Sequence, residues 1–268
     1  IRILNNVPQS APIFVNVQHL KAKLHLSVRH DKRAYLQCYQ DLVDLDQNAH
    51  SCERLGAAYM RIQTPENAID AYEQAQNFNP QDEAVAAKIG NALVSTHDYL
   101  KATDYYVTAL QAHTEDIKLR HELATLFLKL KKYGNASQVL EYALEPVGSS
   151  PKISKTQDVR SLLLLADIYM SSGNEDYHLI SKTLLRAHEL QQMVIGRMHS
   201  TVEVPDIINE QTELMVEVCS KLARCHLAAK SEEKAINKYQ EALRSDNVSN
   251  PANTFDIMYI ILYSISGQ

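Results

Sequence analysis

Residues 49–82 read AHSCERLGAAYMRIQTPENAIDAYEQAQNFNPQD. The stretch predicts two helices joined by a turn. The first carries Leu55, Gly56 and Tyr59; the second carries Ala68, Tyr72 and Ala75. Gly56 and Ala68 are small where the helices must cross, because a bulky side chain there would force the axes beyond the usual separation of about 8–10 Å. Tyr59 and Tyr72 fill the space beside the crossing. Pro80 stops the second helix, since proline cannot donate a backbone hydrogen bond within one.

The same pattern returns along the chain in steps of 34 residues. One small column is Ala22, Gly56, Gly90 and Ala124, and a second is Ala34, Ala68, Ala102 and Ala136. A third is Ala75, Ala109 and Ala143, with Asp41 breaking the rule in the first unit. Two large columns are His25, Tyr59, Leu93 and Phe127, and Cys38, Tyr72, Tyr106 and Leu140. A period of about 34 is that of the tetratricopeptide repeat, a helix–turn–helix unit. One departure is Cys52 at the position where that motif prefers tryptophan, which the chain lacks entirely. The predicted fold is all-α, a right-handed α-solenoid of such repeats. No unit buries both faces of its helices alone, so neighbours complete each other's core and the array presents a concave surface.

The expected organisation is the end of a preceding repeat and a turn at 1–14, then four contiguous repeats over 15–150. A Gly-, Ser- and Pro-containing insertion at Gly148–Gln157 displaces the fifth repeat, at 151–190, which carries Ala166, Tyr169 and Ala187. A helical extension spans 191–212, read either as a tolerated outward insertion or as a contact arm. The sixth repeat, 213–249, carries Ala223, Ala235, Tyr239 and Ala242, and 250–268 reads as the first helix of another. The open ends, and Ile rather than Met at position 1, suggest a segment of a longer polypeptide.

Composition excludes several functions. A net charge of −5 gives no basic surplus for neutralising phosphates, so nucleic acid is not an expected partner. The longest terminal apolar run, within Phe255–Ile265, is too short for a membrane span, and no direct membrane insertion is expected. Cys38, Cys52, Cys219 and Cys225 form no CxxC pair and read as reduced thiols packed in helices. There is no Walker loop, GxGxxG, HExxH or GxSxG. The carboxylates Asp44, Asp46, Glu232 and Glu233 fall at helix ends and turns, where charge is solvated or suits the helix dipole. No catalytic residue, cofactor, metal or small-molecule substrate is expected. The first candidates for groove contacts are His50, Glu53, Asn91, Lys118 and His121. A Lys–Asn carboxylate clamp is not expected: the relevant pairs are His19 with Lys23, Glu53 with Ala57 and Ala87 with Asn91, and Lys118 alone is not a clamp.

Several stretches are more specific than the repeat requires. They are Leu55–Gln63 with Pro65-Glu66, Lys88-Ile89-Gly90 with Thr96–Tyr99, Glu122-Leu123-Ala124 with Leu128–Lys131, and Lys234–Leu243. With the long insertion before the sixth repeat, these resemble the large tetratricopeptide subunit of intraflagellar transport complex A, over about residues 20 to 245. The resemblance implies a non-catalytic scaffold of cilia, flagella and basal bodies. It implies a role in retrograde transport and cargo entry, with other complex A subunits and cargo adaptors as partners. The alternatives are a generic peptide-binding adaptor of another cytosolic complex, or the recruiting array of a larger enzyme.

Overall fold

A computed structural model describes residues 4–80, 82–144, 155–173, 176–198 and 205–245. Among these residues there are twelve α-helices and no strand: α1 (Phe14–Ser27), α2 (Lys32–Leu45), α3 (Ala49–Arg61), α4 (Pro65–Phe78), α5 (Glu83–Ser95), α6 (Tyr99–Ala112), α7 (Ile117–Lys129), α8 (Tyr133–Leu144), α9 (Lys155–Ser171), α10 (Tyr177–Met198), α11 (Pro205–Ala228) and α12 (Glu232–Ser245). The architecture is an all-α helical-repeat solenoid. The chain divides within α7 into two compact units, Ile1–Leu126 and Phe127–Gln268. The expected insertion at Gly148–Gln157 falls largely outside the described residues, and the expected helix at 250–268 wholly so.

Helix starts follow from polar caps. The Asp31 carboxylate accepts from the Ala34 backbone N–H at 3.0 Å. Asn48 and Ser51 cap each other's backbone N–H groups at the head of α3. Asp82 and Asp98 cap α5 and α6, and Pro65 occupies the first turn of α4, where no N–H is needed.

Two members of the small columns stand where a second helix comes close, and most of the others are buried. In the first unit, an added Cβ on Gly56 would meet the buried Tyr72 ring at 2.5 Å, and one on Gly90 would collide with the Tyr106 ring. Ala22 has no exposed surface and shares a cluster with Tyr35, Cys38, Ala58 and Ile62. Ala68, Ala75, Ala102 and Ala124 are also fully buried, whereas Ala34 and Ala109 are half-buried and so less constrained in size. Tyr59 is half-buried beside the crossing, and Pro80 is exposed beyond the end of α4. The core between α2 and α5 joins Val43, Leu55, Tyr72, Val85 and Ile89.

In the second unit, Ala136, Ala166, Ala187, Ala223, Ala235 and Ala242 are fully buried, with Phe127, Leu140 and Tyr239 nearly so. Tyr169 is half-buried and donates to Glu141 at 2.7 Å, tying α9 to α8. Of Ala143 only the helical backbone in α8 is described. One cluster joins α9, α10 and α11 through Val159, Leu162, Leu184, Leu214 and Leu222. A second joins α11 and α12 through Met215, Cys219, Ala223, Ala235 and Tyr239. Helices α10 and α11, at 22 and 24 residues, are the longest described. The expected extension at 191–212 consists of the last two turns of α10 and the first two of α11, with 199–204 outside the described residues. Gln191, fully buried, holds these turns together by donating to the Gln211 carbonyl at 2.8 Å.

The first helix of each repeat ends in the same way. His30, Gln63, His97, Lys131, Gly173 and Lys230 all have positive φ, at intervals of 33, 34, 34, 42 and 57 residues. At four of these turns a Schellman pair closes the helix. The N–H groups of Gln63, His97, Lys131 and Lys230 bond to the carbonyls of Met60, Val94, Leu128 and Leu227. The following N–H groups, of Thr64, Asp98, Lys132 and Ser231, reach Tyr59, Leu93, Phe127 and His226. The first turn is one residue later relative to its helix, and Asp31 bonds to His25 instead, which accounts for the interval of 33.

Two glycine substitutions separate packing from propensity. Gly56→Ala gains about 1 kcal/mol of helix propensity but must displace a ring that is itself packed, at a cost of about 1–3 kcal/mol. A net loss of about 1 kcal/mol in urea denaturation is expected, recovered in the Tyr72→Leu background. Gly196→Ala in the last turn of α10, where an added Cβ meets nothing within 4 Å and fraying reduces the interior value of about 1 kcal/mol, is expected to stabilise by about 0.5 kcal/mol.

Candidate protein-binding surface

The expected groove residues sit on the first helices of the repeats, but the structure brings only some of them together. His50, exposed, and Glu53, half-buried, are one turn apart on α3, with His50 Nδ1 at 3.7 Å from the Glu53 carboxylate. Glu53 also pairs with Lys88 of α5. It therefore ties two successive first helices to each other, as well as facing solvent. Asn91 is exposed on α5, and its Oδ1 accepts the Tyr106 hydroxyl at 3.2 Å. Lys118, exposed, and His121, half-buried, lie one turn apart on α7. Tyr106 is core, while Tyr105 donates to Gln76 of the neighbouring helix α4 at 2.8 Å.

A more concave site lies in the first unit, lined by His19 of α1, Tyr35 and Tyr39 of α2, and Arg54, Ala57, Ala58 and Arg61 of α3. Its volume is about 360 Å³. Arg54 and Arg61 are two helical turns apart, and Ala57 and Ala58 between them leave the floor open. Arg54 Nη1 is 2.6 Å from His19 Nε2. Burial, with the Arg54 and His50 charges behind it, holds the His19 pKa below its ordinary value. His19 therefore accepts this bond as the neutral ring. The Tyr39 ring stands 5.5 Å from His19 and 5.2 Å from Tyr35. Burial, then Tyr39, pushes the Tyr35 phenol up to about 12, so it keeps its proton at neutral pH. The recognisable signal was Arg-x-x-Ala-Ala-x-x-Arg on one helix face; the contribution of α1 and α2 was not legible from spacing.

A second constellation lies in the second unit, where His188 of α10, Cys219 of α11 and Glu241 of α12 place ligand-type atoms within 4.8 Å of one another. Sequence reasoning missed it because the three residues are far apart along the chain. Metal chemistry is not its best use. Lys238 Nζ lies 2.7 Å from Glu241 and 3.3 Å from His188, so an ammonium already supplies the positive charge. His188 Nε2 is 2.7 Å from Glu241, and burial pushes the Cys219 thiol up to about 12, disfavouring the thiolate a metal needs. The four cysteines are all buried, free and raised in pKa, chiefly by burial. The cluster fastens α12 to α10.

The fastening is expected to depend on acid. Burial alone would raise the Glu241 pKa, but Lys238 and His188 outweigh it and hold it below the ordinary value. The groups facing it include His188 and Gln192 from α10, Cys219 from α11 and Lys238 from its own helix. A depressed carboxylate pKa contributes stability above the unfolded value of about 4.3 and loses it as pH falls through the folded one. The stability advantage of the native chain over Glu241→Gln, by urea denaturation, is expected to be full above about pH 5 and to shrink on acidification.

The comparisons with known proteins agree with this architecture. Residues 85–243 match the family described as the fourth ARM domain of tetratricopeptide repeat protein 21, and residues 1–42 match the ARM repeat of the same protein. Residues 49–82 match a general tetratricopeptide repeat. Tetratricopeptide repeat protein 21B of Homo sapiens is 39% identical over 245 residues, covering 91% of this chain and 18% of its own length. Protein 21A of Mus musculus is 36% identical over 244 residues, with the same two coverages. The chain thus spans about a fifth of the length of these relatives. Among solved structures, yeast Tom70 superposes with a TM-score of 0.60 at 13% identity, covering 93% of this chain and 46% of that one. A double mutant of MamA superposes at 0.51 with 16% identity, covering 74% and 94%. At such identities these two speak for the repeat fold alone. With a family match over more than half its length, the chain belongs to the tetratricopeptide repeat protein 21 family.

Proposed function

We propose that this chain is a non-catalytic scaffold segment of intraflagellar transport complex A, acting in retrograde ciliary transport and in the entry of cargo into cilia. The observation that carries the scaffold reading is the repeat fold itself. Its polar chemistry is spent on capping helices and tying neighbours together, as at Glu53–Lys88 and Lys221–Asp167. The constellation that most resembles a reactive site is closed by Lys238. The ciliary reading rests on membership of the family and on the stretches quoted above. In this reading the chain works in the cilium or flagellum and at the basal body. Its partners are other complex A subunits and cargo adaptors; nucleic acid and small-molecule substrates have no part. No described helix is long and apolar enough to cross a membrane. The groove positions His50, Asn91, Lys118 and His121 are proposed as contact surface, and Glu53 as both contact and inter-repeat tie. The extended hairpin of α10 and α11 is proposed as an additional contact arm.

Expression of the tagged chain in ciliated cells, followed by native purification and mass spectrometry, tests the assignment. Complex A subunits are expected above a tagged, unrelated tetratricopeptide array. A folded chain that recovers none of them overturns the ciliary role.

A further inference from the structure

The cleft between α1, α2 and α3 is unusual in its charge. Its seven lining residues include two arginines and a histidine but no carboxylate. Among the described residues neither Arg54 nor Arg61 lies within ion-pairing distance of an acid. Two carboxylates on the same helices are engaged elsewhere. Asp41 accepts from Gln18 and Gln37, and Glu53 pairs with Lys88 and His50. The partner Arg54 does have, His19, is neutral, so their bond orients the guanidinium without cancelling its charge. The remaining N–H groups of the fork stay available. Residues 14–61, which span the three helices, carry seven Lys or Arg against five acids, in a chain whose net charge is −5.

We propose that this cleft binds a carboxylate-bearing segment of a partner polypeptide, with Arg54 and Arg61 as paired guanidinium donors. Arginine forks match carboxylates in bidentate geometry, and two forks spaced along one helix face suit two acidic groups, or one acid and its neighbour's backbone. Tyr35 closes the wall against Tyr39, while Tyr39, Ala57 and Ala58 supply apolar surface for the side chains between the acids. A polypeptide is favoured over a free anion because the cleft is an open trough with aromatic and methyl walls, far larger than one oxyanion requires. This differs from the Lys–Asn clamp excluded above: the donors are arginines on a single helix, oriented by a histidine from the preceding repeat. The proposal deepens the scaffold reading and rests on it.

Fluorescence anisotropy with the whole chain tests it. The probe is a labelled peptide of alternating Glu and Ala, about twelve residues long with a free C-terminus, an extended length of about 40 Å. The same peptide amidated at its C-terminus and a Gln-for-Glu version complete the set. The Glu peptide is expected to bind, weakening as salt rises, and the Gln peptide is not. Retention of binding on amidation assigns recognition to side-chain carboxylates; its loss assigns recognition to the chain terminus. Arg61→Gln, an exposed position, and Arg54→Gln are each expected to weaken binding at least tenfold with unchanged circular dichroism, about 1.4 kcal/mol. Arg186→Gln on the exposed surface of α10 is expected to leave it unchanged. Equal binding of the Gln peptide, native affinity in the Arg61 variant, absence of binding, or complete displacement by inorganic phosphate would each overturn the proposal. If the cleft fails while complex A subunits are still recovered from cells, the scaffold reading stands without it; loss of both sinks both.

Discussion

The whole array depends on how closely the two helices of each repeat approach. At Gly56 the partner is the Tyr72 ring, and at Gly90 it is the Tyr106 ring. A hydrogen in place of a methyl admits an aromatic side chain to the crossing, and that ring then reaches into the core shared with the next repeat. Where the second helix offers a smaller side chain, as at Cys38, the first helix carries Ala22 instead. A large side chain on one helix is therefore accompanied by the smallest residue on the other, as close packing favours. The sixth repeat departs from this complementarity, pairing the columns of Ala223 and Tyr239. There the ring joins Met215, Val216 and Cys219, and its hydroxyl is buried without a partner among the described residues.

A second constraint lies in the turns. The first helix must stop and reverse within a few residues while its last carbonyls remain satisfied. A left-handed residue followed by a Schellman pair achieves this, and it recurs down the chain. Five of the six positions are occupied by His, Gln or Lys rather than glycine. Each such residue costs about 1–2 kcal/mol in left-handed backbone. The bonds to the carbonyls of Tyr59, Leu93, Phe127 and His226 offset that cost, and these belong to the large-residue column of the repeat. One column thus serves packing with its side chain and turn closure with its backbone.

Polar residues show the same economy. Charges that link helices, such as Glu53 with Lys88, Lys221 with Asp167, and Glu241 with Lys238 and His188, connect elements that lie side by side. The α1–α3 cleft breaks this habit, since Arg54 bonds to a neutral ring and the lining holds no acid. In a family of repeat scaffolds, unneutralised charge in a concavity is where a partner's complementary charge gains most, because the walls exclude part of the screening water.

Periodicity alone determined the helical class and marked Gly56 and Gly90 as positions that must stay small, because those depend on local propensity and on steric limits repeated every 34 residues. The breaks in register before the fifth and sixth repeats were legible for the same reason, and they return as the 42- and 57-residue intervals between turns. Left-handed closure at Gln63, His97 or Lys131 was not legible, since nothing in those residue types demands positive φ; the bonds of the surrounding turn impose it. Nor was the degree of burial at Ala34 and Ala109, which depends on what neighbouring helices leave uncovered. The α1–α3 cleft and the His188–Cys219–Glu241–Lys238 cluster were decided by tertiary structure alone. They join side chains from three helices each, and distance along a chain carries no information about which faces of separate helices meet.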